Sequence, residues 1–225
     1  MKEFSVKILK SDFINPDVKL IRTEKPQGYK FLNGQATQIS INKPELKEDR
    51  RPFSFASLNE DNYLEFVIKI YKEHHGVTEK IGNLDAGDEL IITEPFGKLT
   101  FRGNGIFIAG GAGIMPFVSI LRELEIKNRL KGNTLIFSNK EEKDIILKNE
   151  FERMRITGLR VLFTLTRENN PKYENKRIDR GYLEEKIPDF RSQFFYICGP
   201  PKMVNEMRRD LINLGVEPGK IVIMF

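Results

Sequence analysis

Through its first hundred residues the chain alternates apolar and polar positions with the period of a β-strand. Phe4, Val6 and Ile8 alternate with polar neighbours, and Gln38-Ile39-Ser40-Ile41 repeats the pattern. Residues 64–71 form a longer strand, apolar on both faces near its middle. Glu89-Leu90-Ile91-Ile92-Thr93 is entered through Gly87-Asp88 and closed by Pro95 and Gly97. Short strands separated by turn residues predict an antiparallel barrel or sandwich.

After Gly103 the period changes. Gly105-Ile106-Phe107-Ile108-Ala109 is a continuous apolar run, as in a strand covered on both faces. A glycine-rich loop follows, and then Phe117, Ile120, Leu121 and Leu124 recur at helical spacing. Thr134-Leu135-Ile136-Phe137 predicts a second strand, followed by a helix rich in Glu and Lys to about residue 155. Further strands are predicted at 161–165, 194–197 and 221–224. Strands alternating with helices imply a parallel sheet with helices on its faces. The expected organisation is β plus α/β, with an antiparallel barrel over 1–103 and a parallel-sheet domain over 104–225.

Composition narrows the class. At 225 residues, 40% hydrophobic and 31% charged, the chain is globular in composition, not a disordered tail. No apolar run reaches the roughly 18–20 residues that span a bilayer, and residues 1–10 lack the apolar block of a signal peptide. The single cysteine, Cys198, excludes a disulfide framework and a cysteine-ligated iron–sulfur cluster within these residues. A cytoplasmic, monomeric protein with no membrane partner is expected. The net charge of +5 falls wholly after Gly103, and most of it lies within 153–191. An excess so confined points to an anionic ligand or partner, and equally to a solvated basic face. It has no aromatic platform or motif for nucleic acid beside it.

Three segments carry candidate chemistry. Gly110-Gly111-Ala112-Gly113-Ile114-Met115-Pro116 joins an apolar strand to an amphipathic helix, where glycines admit a ligand and free N–H groups suit a phosphate. Alone, it is just as often a tight strand–helix turn. Cys198-Gly199-Pro200-Pro201-Lys202-Met203 opens another helix at the carboxyl end of a strand, beside the crevice where α/β sheets bind ligands. Alone, Cys198 is more often an inert buried thiol. Arg51-Pro52-Phe53-Ser54-Phe55-Ala56-Ser57 offers a cation, an aromatic face and two hydroxyls to a phosphorylated aromatic cofactor, or else it is an edge strand with a surface Arg and core Phe. His74-His75 reads as a solvated turn and not a metal site, since no third ligand is evident.

In this order and spacing the motifs resemble the ferredoxin–NADP⁺ reductase superfamily over nearly the whole chain. Its flavin motif corresponds to Arg51-Pro52-Phe53-Ser54, and its second flavin element to residues 66–71, including Ile68 and Lys69, with Gly76-Val77-Thr78. Gly87-Asp88-Glu89-Leu90 and Gly97-Lys98-Leu99 match two further segments, and both nicotinamide-domain motifs run without interruption. The resemblance implies FAD, with FMN the lesser alternative, and NADP(H), with NAD(H) also possible. Arg51 would meet the flavin phosphate, Phe53 the isoalloxazine ring, and Ser54 the region of N5. Gly76, Val77 and Thr78 would face the pyrophosphate. Gly111, Ala112, Gly113, Ile114 and Pro116 would cradle the nicotinamide nucleotide. Cys198 would lie beside nicotinamide C4, floored by Gly199, Pro200 and Met203. Ser54 and Cys198 are thus the expected catalytic pair.

Three departures stand out. Phe53 replaces the usual Tyr, which removes a phenolic hydrogen bond. Phe225 could cover the flavin, but the Glu often found near that end is absent, so the proton route to the flavin is open. With no iron–sulfur segment here, the electron acceptor is expected to be a separate molecule. Thr166-Arg167 lies where relatives hold the 2′-phosphate, with Lys176, Arg177 and Arg180 close behind. The implied activity passes electrons between NADPH and an acidic carrier, ferredoxin or flavodoxin. The alternatives are a reductase component of an oxygenase, a ferric-complex reductase, or a non-catalytic flavin-carrying subunit.

Overall fold

The computed structural model describes residues 2–74, 76–97 and 100–224. Expectations placed on the His74 side chain, His75, Lys98, Leu99 and Phe225 lie outside the described residues. The chain divides into two compact units, one of Met1–Thr100 with Met115–Glu123, the other of Phe101–Ile114 with Leu124–Phe225.

The first unit is a six-stranded antiparallel sheet curled into a nearly closed barrel. Its strands are β1 (Glu3–Asn15), β2 (Val18–Glu24), β3 (Ala36–Ile41), β4 (Arg51–Ser54), β5 (Tyr63–Lys69) and β6 (Glu89–Thr93). They are ordered β4-β3-β6-β1-β2-β5, so β4 and β5 are the two edges. Alternate residues point inward, and Val6, Ile8, Ile21, Ile39, Phe66, Ile68, Leu90 and Ile92 form the core with Phe31 and Phe55. The Phe31 and Phe55 rings stack at 4.1 Å. A short helix, α1 (Val77–Gly82), plugs the barrel with Val77 and Ile81. β2 has no counterpart among the strands expected from pattern, because Lys19 and Arg22 interrupt its alternation. Lys19 is nonetheless buried, its ammonium donating to the carbonyls of Gly82 and Leu84. β4 is too short and too polar to show a period. Pro52 suits an edge, where a missing N–H costs the ladder nothing.

The second unit holds five parallel strands: β7 (Gly105–Gly110), β8 (Thr134–Asn139), β9 (Arg160–Leu165), β10 (Phe194–Cys198) and β11 (Ile221–Met224). Their order is β11-β10-β7-β8-β9. The chain therefore runs outward from β7 to β9, then returns to lay β10 on the other side of β7. That reversal makes the carboxyl ends of β7 and β10 a topological switch point, the usual ligand crevice of such sheets. Ile106, Ile108, Ile136, Phe195 and Ile197 pack one face against α4 (Arg180–Lys186) and α5 (Pro201–Asn213). The other face carries Phe107 and Tyr196, whose rings stack at 4.5 Å, and Phe137 edge-on to Phe151 of α3 (Lys148–Ile156). Helix α2 (Met115–Ile126) follows the glycine loop.

The Glu- and Lys-rich segment is not one helix. A 3-10 turn at Glu142–Asp144 precedes α3, and Leu147 between them has φ 54°. Side chains drive the break. Glu141 and Asp144 cap one another's backbone N–H groups, and Glu142 N–H donates to Glu168 at 2.6 Å.

Tyr196 is fully buried, and its hydroxyl accepts from the N–H groups of Arg102 (2.8 Å) and Gly103 (3.1 Å) while donating to the Gly103 carbonyl (2.8 Å). It thereby fixes where the chain enters β7. Tyr196→Phe is expected to lower stability by about 1–3 kcal/mol, since it leaves those groups unpartnered. A urea midpoint unchanged from wild type would contradict this.

Candidate functional site

The nucleotide motif and the cysteine motif meet at the switch point for a steric reason. A Cβ on Gly113 would lie 2.2 Å from the Cys198 carbonyl oxygen and 2.6 Å from the Gly199 nitrogen. One on Gly110 would lie 2.6 Å from the Met203 sulfur and 3.0 Å from Pro200 Cδ. Gly113 is therefore required by the chain's own backbone packing, whereas Gly110 faces the movable end of Met203 and the ring of Pro200. Gly111 is different: it has φ +53°, and a Cβ there would meet nothing within 4 Å. The open main chain of Gly111, next to half-buried Ala112, is the part of the loop that a nucleotide can reach. Ile114 and Pro116 are buried, so their side chains serve the core. Gly199 and Met203 are half-buried and Pro200 is exposed.

Cys198 pairs with Ala109 across the sheet and is only 8% exposed. Burial pushes its thiol up to about 11, against a smaller opposing pull from the Gly199 N–H. The thiol is therefore neutral near pH 7. It can line a nicotinamide pocket and offer a weak S–H donor, but it is not a nucleophile.

In the first unit, the strand residues expected to meet a flavin fall on the two edges of the barrel. β4 pairs only with β3 and β5 only with β2. The Ala56 N–H donates to the Glu65 carbonyl at 2.8 Å, and the Ser57 hydroxyl accepts from the Glu65 N–H at 3.0 Å, which closes one end of the seam. Toward Arg51 on β4 and Lys69 on β5, no ladder bond joins the edges among the described residues. Arg51 and Pro52 are exposed there, with Phe53 and Ser54 half-buried. The Arg51 guanidinium donates to the Arg50 carbonyl at 2.7 Å, and among the described residues no carboxylate pairs with it. An aromatic face, a hydroxyl and an unneutralised cation along an open seam fit a phosphorylated flavin. Ile68 points into the core, so only its main chain can reach a ligand. The Lys69 ammonium is held by Asp17 at 2.8 Å. Gly76 precedes α1, Val77 is buried, and the Thr78 hydroxyl accepts from the Tyr71 N–H at 3.5 Å.

Thr166 and Arg167 are exposed just past β9, their N–H groups donating to the carbonyls of Asn139 and Lys140. The cations that follow are not equivalent. Lys176 is paired with Glu185 at 2.9 Å and Arg180 with Glu184 at 3.1 Å. Arg167 and Arg177 have no carboxylate within ion-pair distance among the described residues. The nearby Glu142 carboxyl is held down to about 2 by Lys148 and by the Tyr173 hydroxyl.

A buried charge cluster escaped the reading of sequence. The Glu65 carboxylate, 1% exposed, accepts from Arg22 at 2.7 Å and from Arg122 at 2.6 Å. The available signal was a lone Glu inside an apolar strand. Among the described residues, no group of three or more His, Cys, Asp or Glu could hold a metal ion, and no helix is long and apolar enough to cross a membrane.

Comparison with known proteins agrees with this layout. Residues 1–88 match the family described as an FAD-binding domain, and residues 107–209 match the oxidoreductase NAD-binding domain. NADH-cytochrome b5 reductase 2 of Danio rerio is 25% identical over 97% of this chain and 83% of its own length. NADH-cytochrome b5 reductase 1 of Eremothecium gossypii is 30% identical over 77% of this chain, which spans 65% of that protein. A ferredoxin NADP⁺ reductase from Neisseria gonorrhoeae, solved with bound FAD and NADP, has the same fold, with a TM-score of 0.88 at 23% identity over 100% of this chain and 98% of that one. The chain therefore carries an FAD-binding domain and an oxidoreductase NAD-binding domain and shares the fold of that ferredoxin NADP⁺ reductase. It is a flavin-dependent NAD(P)H oxidoreductase with an FAD-binding and an NAD(P)-binding domain.

The two kinds of glycine separate experimentally. Gly113→Ala is expected to lower the melting temperature sharply, because carbonyl and carbon cannot share the space. Gly111→Ala is expected to cost only about 1–2 kcal/mol for its left-handed backbone, while weakening dinucleotide binding by calorimetry. The reverse ranking of stabilities would refute the assignment. For Cys198, alkylation by iodoacetamide should be slow at pH 8 and rise about tenfold per pH unit up to its pKa. A rate that is already flat by pH 9 would show a thiolate instead.

Proposed function

We propose that the chain takes a hydride from NADPH onto bound FAD and delivers the electrons singly to an acidic carrier protein of the ferredoxin or flavodoxin kind. In this reading residues 1–103 hold the flavin and 104–225 the nucleotide. The observation that carries it is the pairing of an open Gly111 main chain with a neutral Cys198 thiol at the switch point. A bound flavin supplies the two-electron to one-electron conversion, and the side chains position and shield. Arg51 neutralises the flavin phosphate, Phe53 covers a ring face, and the Ser54 hydroxyl offers a hydrogen bond beside the reacting edge. The Gly111 main chain receives the nucleotide. The buried Cys198 thiol excludes water from the nicotinamide without adding charge.

The preference for NADPH rests on Arg167 and Arg177, the two cations of this segment without a carboxylate partner among the described residues. A second reading, NADH as donor and cytochrome b5 as acceptor, is favoured by the names of the curated relatives and by Glu141, Glu142 and Glu168 around Arg167. The Glu141 carboxyl is lowered chiefly by Lys143, and also by Arg167.

Purified protein should show a flavin absorbance spectrum, release FAD on denaturation, and be reduced faster by NADPH than by NADH in stopped flow. A colourless protein that neither flavin reconstitutes would overturn the reading. Arg167→Ala should raise KM for NADPH by about 10–100-fold, the worth of a charged hydrogen bond to phosphate, with little change for NADH. Equal effects on both coenzymes would decide for the second reading.

A further inference from the structure

The barrel seam closes where the chain changes partner. The Phe55 N–H donates to the Gln35 carbonyl at 3.1 Å, on the β3 side, whereas the next N–H, that of Ala56, donates to the Glu65 carbonyl of β5 at 2.8 Å. The Glu65 N–H in turn donates to the Ser57 hydroxyl at 3.0 Å. Ser54, the hydroxyl expected beside the reacting edge of a flavin, is the last residue of β4 before this crossing.

Side chains reinforce the crossing, and Arg122 stands at its centre. Arg122 Nη1 donates to the Ala56 carbonyl at 2.8 Å and to Glu65 Oε1 at 2.6 Å, so one nitrogen ties the two sides of the seam together. Glu65 Oε2 accepts from Nε of Arg22, its ladder partner on β2, at 2.7 Å. Arg122 lies in the Met115–Glu123 portion of α2, which packs within the first unit. One turn earlier, the buried Ser119 hydroxyl accepts from the Gly34 N–H at 3.1 Å, beside the Gln35 to which Phe55 bonds. This stretch of helix therefore grips the chain on both sides of the crossing. A buried ion cluster is a weak source of net stability, since apolar replacements of such groups are often neutral or stabilising. What this one supplies is a fixed geometry, because charged hydrogen bonds are short and directional.

We propose that Arg122 is a positioning residue for the flavin: by joining the Ala56 carbonyl to the Glu65 carboxylate it locks the crossing, and with it the Phe53–Ser54 end of β4. This rests on the flavin-binding reading of β4. The role requires no contact between Arg122 and the flavin.

The test uses the full chain, with FAD affinity from flavin fluorescence, visible circular dichroism of the bound flavin, and amide hydrogen exchange at Ala56 and Glu65. Arg122→Met leaves Glu65 paired with Arg22, so no buried charge is orphaned. It should exchange faster at both amides, bind FAD about tenfold more weakly and alter the dichroism, as expected when binding groups loosen by a fraction of an ångström. Arg122→Lys fills similar space but keeps a charged donor, and should recover much of the lost affinity. Glu65→Gln keeps the shape while weakening the grip on Arg122. It should move the same three readouts, so it decides the matter if Arg122→Met fails to fold. Variants that melt earlier yet keep wild-type FAD affinity, dichroism and exchange would overturn the proposal while leaving the flavin site intact. Wild-type protein that binds neither FAD nor FMN would overturn the reading beneath it.

Discussion

The carbonyl of Cys198 and the backbone of Gly113 approach so closely that no side-chain carbon fits between them. This contact sets the second unit's geometry, because it brings the carboxyl ends of two neighbouring parallel strands together where the chain reverses direction. Strand β7 can then turn into its glycine loop, and β10 into α5, without either loop blocking the other. Met203 and Pro200 reinforce the approach from α5 by occupying the space above Gly110. Two motifs far apart in sequence are therefore one steric unit. What is left open, the Gly111 main chain beside a neutral thiol, is the chemistry that the packing makes possible.

The first unit solves a different problem. A six-stranded sheet this short curls on itself, but among the described residues its edges bond at one end, where the Ala56 N–H donates to the Glu65 carbonyl. Closing that end and leaving the other unpaired gives a polar slot without breaking the core, since Phe31, Phe55 and Phe66 stay buried beneath it. The buried Glu65 belongs to the same economy of position: strand β5 is covered on both sides, so its outward carboxylate must find charged partners inside the fold. Arg22 and Arg122 provide them.

Charge is informative only once it is located. The +5 excess lies in the second half of the chain, as counted along the sequence. Several of its members are committed within the fold, with Lys176 and Lys186 tied to Glu174 and Glu185, and Arg180 tied to Glu184. Among the described residues Arg167 and Arg177 have no carboxylate partner, which is why the proposed coenzyme preference rests on them and not on their neighbours. Net charge cannot make that distinction, because it adds residues that space has already paired.

The alternation of Phe4, Val6 and Ile8 and the unbroken run at 105–109 determined the two-part fold class, since period is a local property of sequence, while the cofactors followed from the family resemblance that the motifs carry together. β2 was hidden because its buried lysine is satisfied by the carbonyls of Gly82 and Leu84, 63 and 65 residues away. The break at Leu147 was hidden because Glu168, after the next strand, takes the N–H that a longer helix would have used. Gly113 and Gly111 read alike in a motif, and only the position of Cys198 tells them apart. Tertiary structure alone decided which arginines have a carboxylate partner among the described residues, and that a single glutamate binds two of them, because hydrogen-bond partners are set by distance in space and not by distance along the chain.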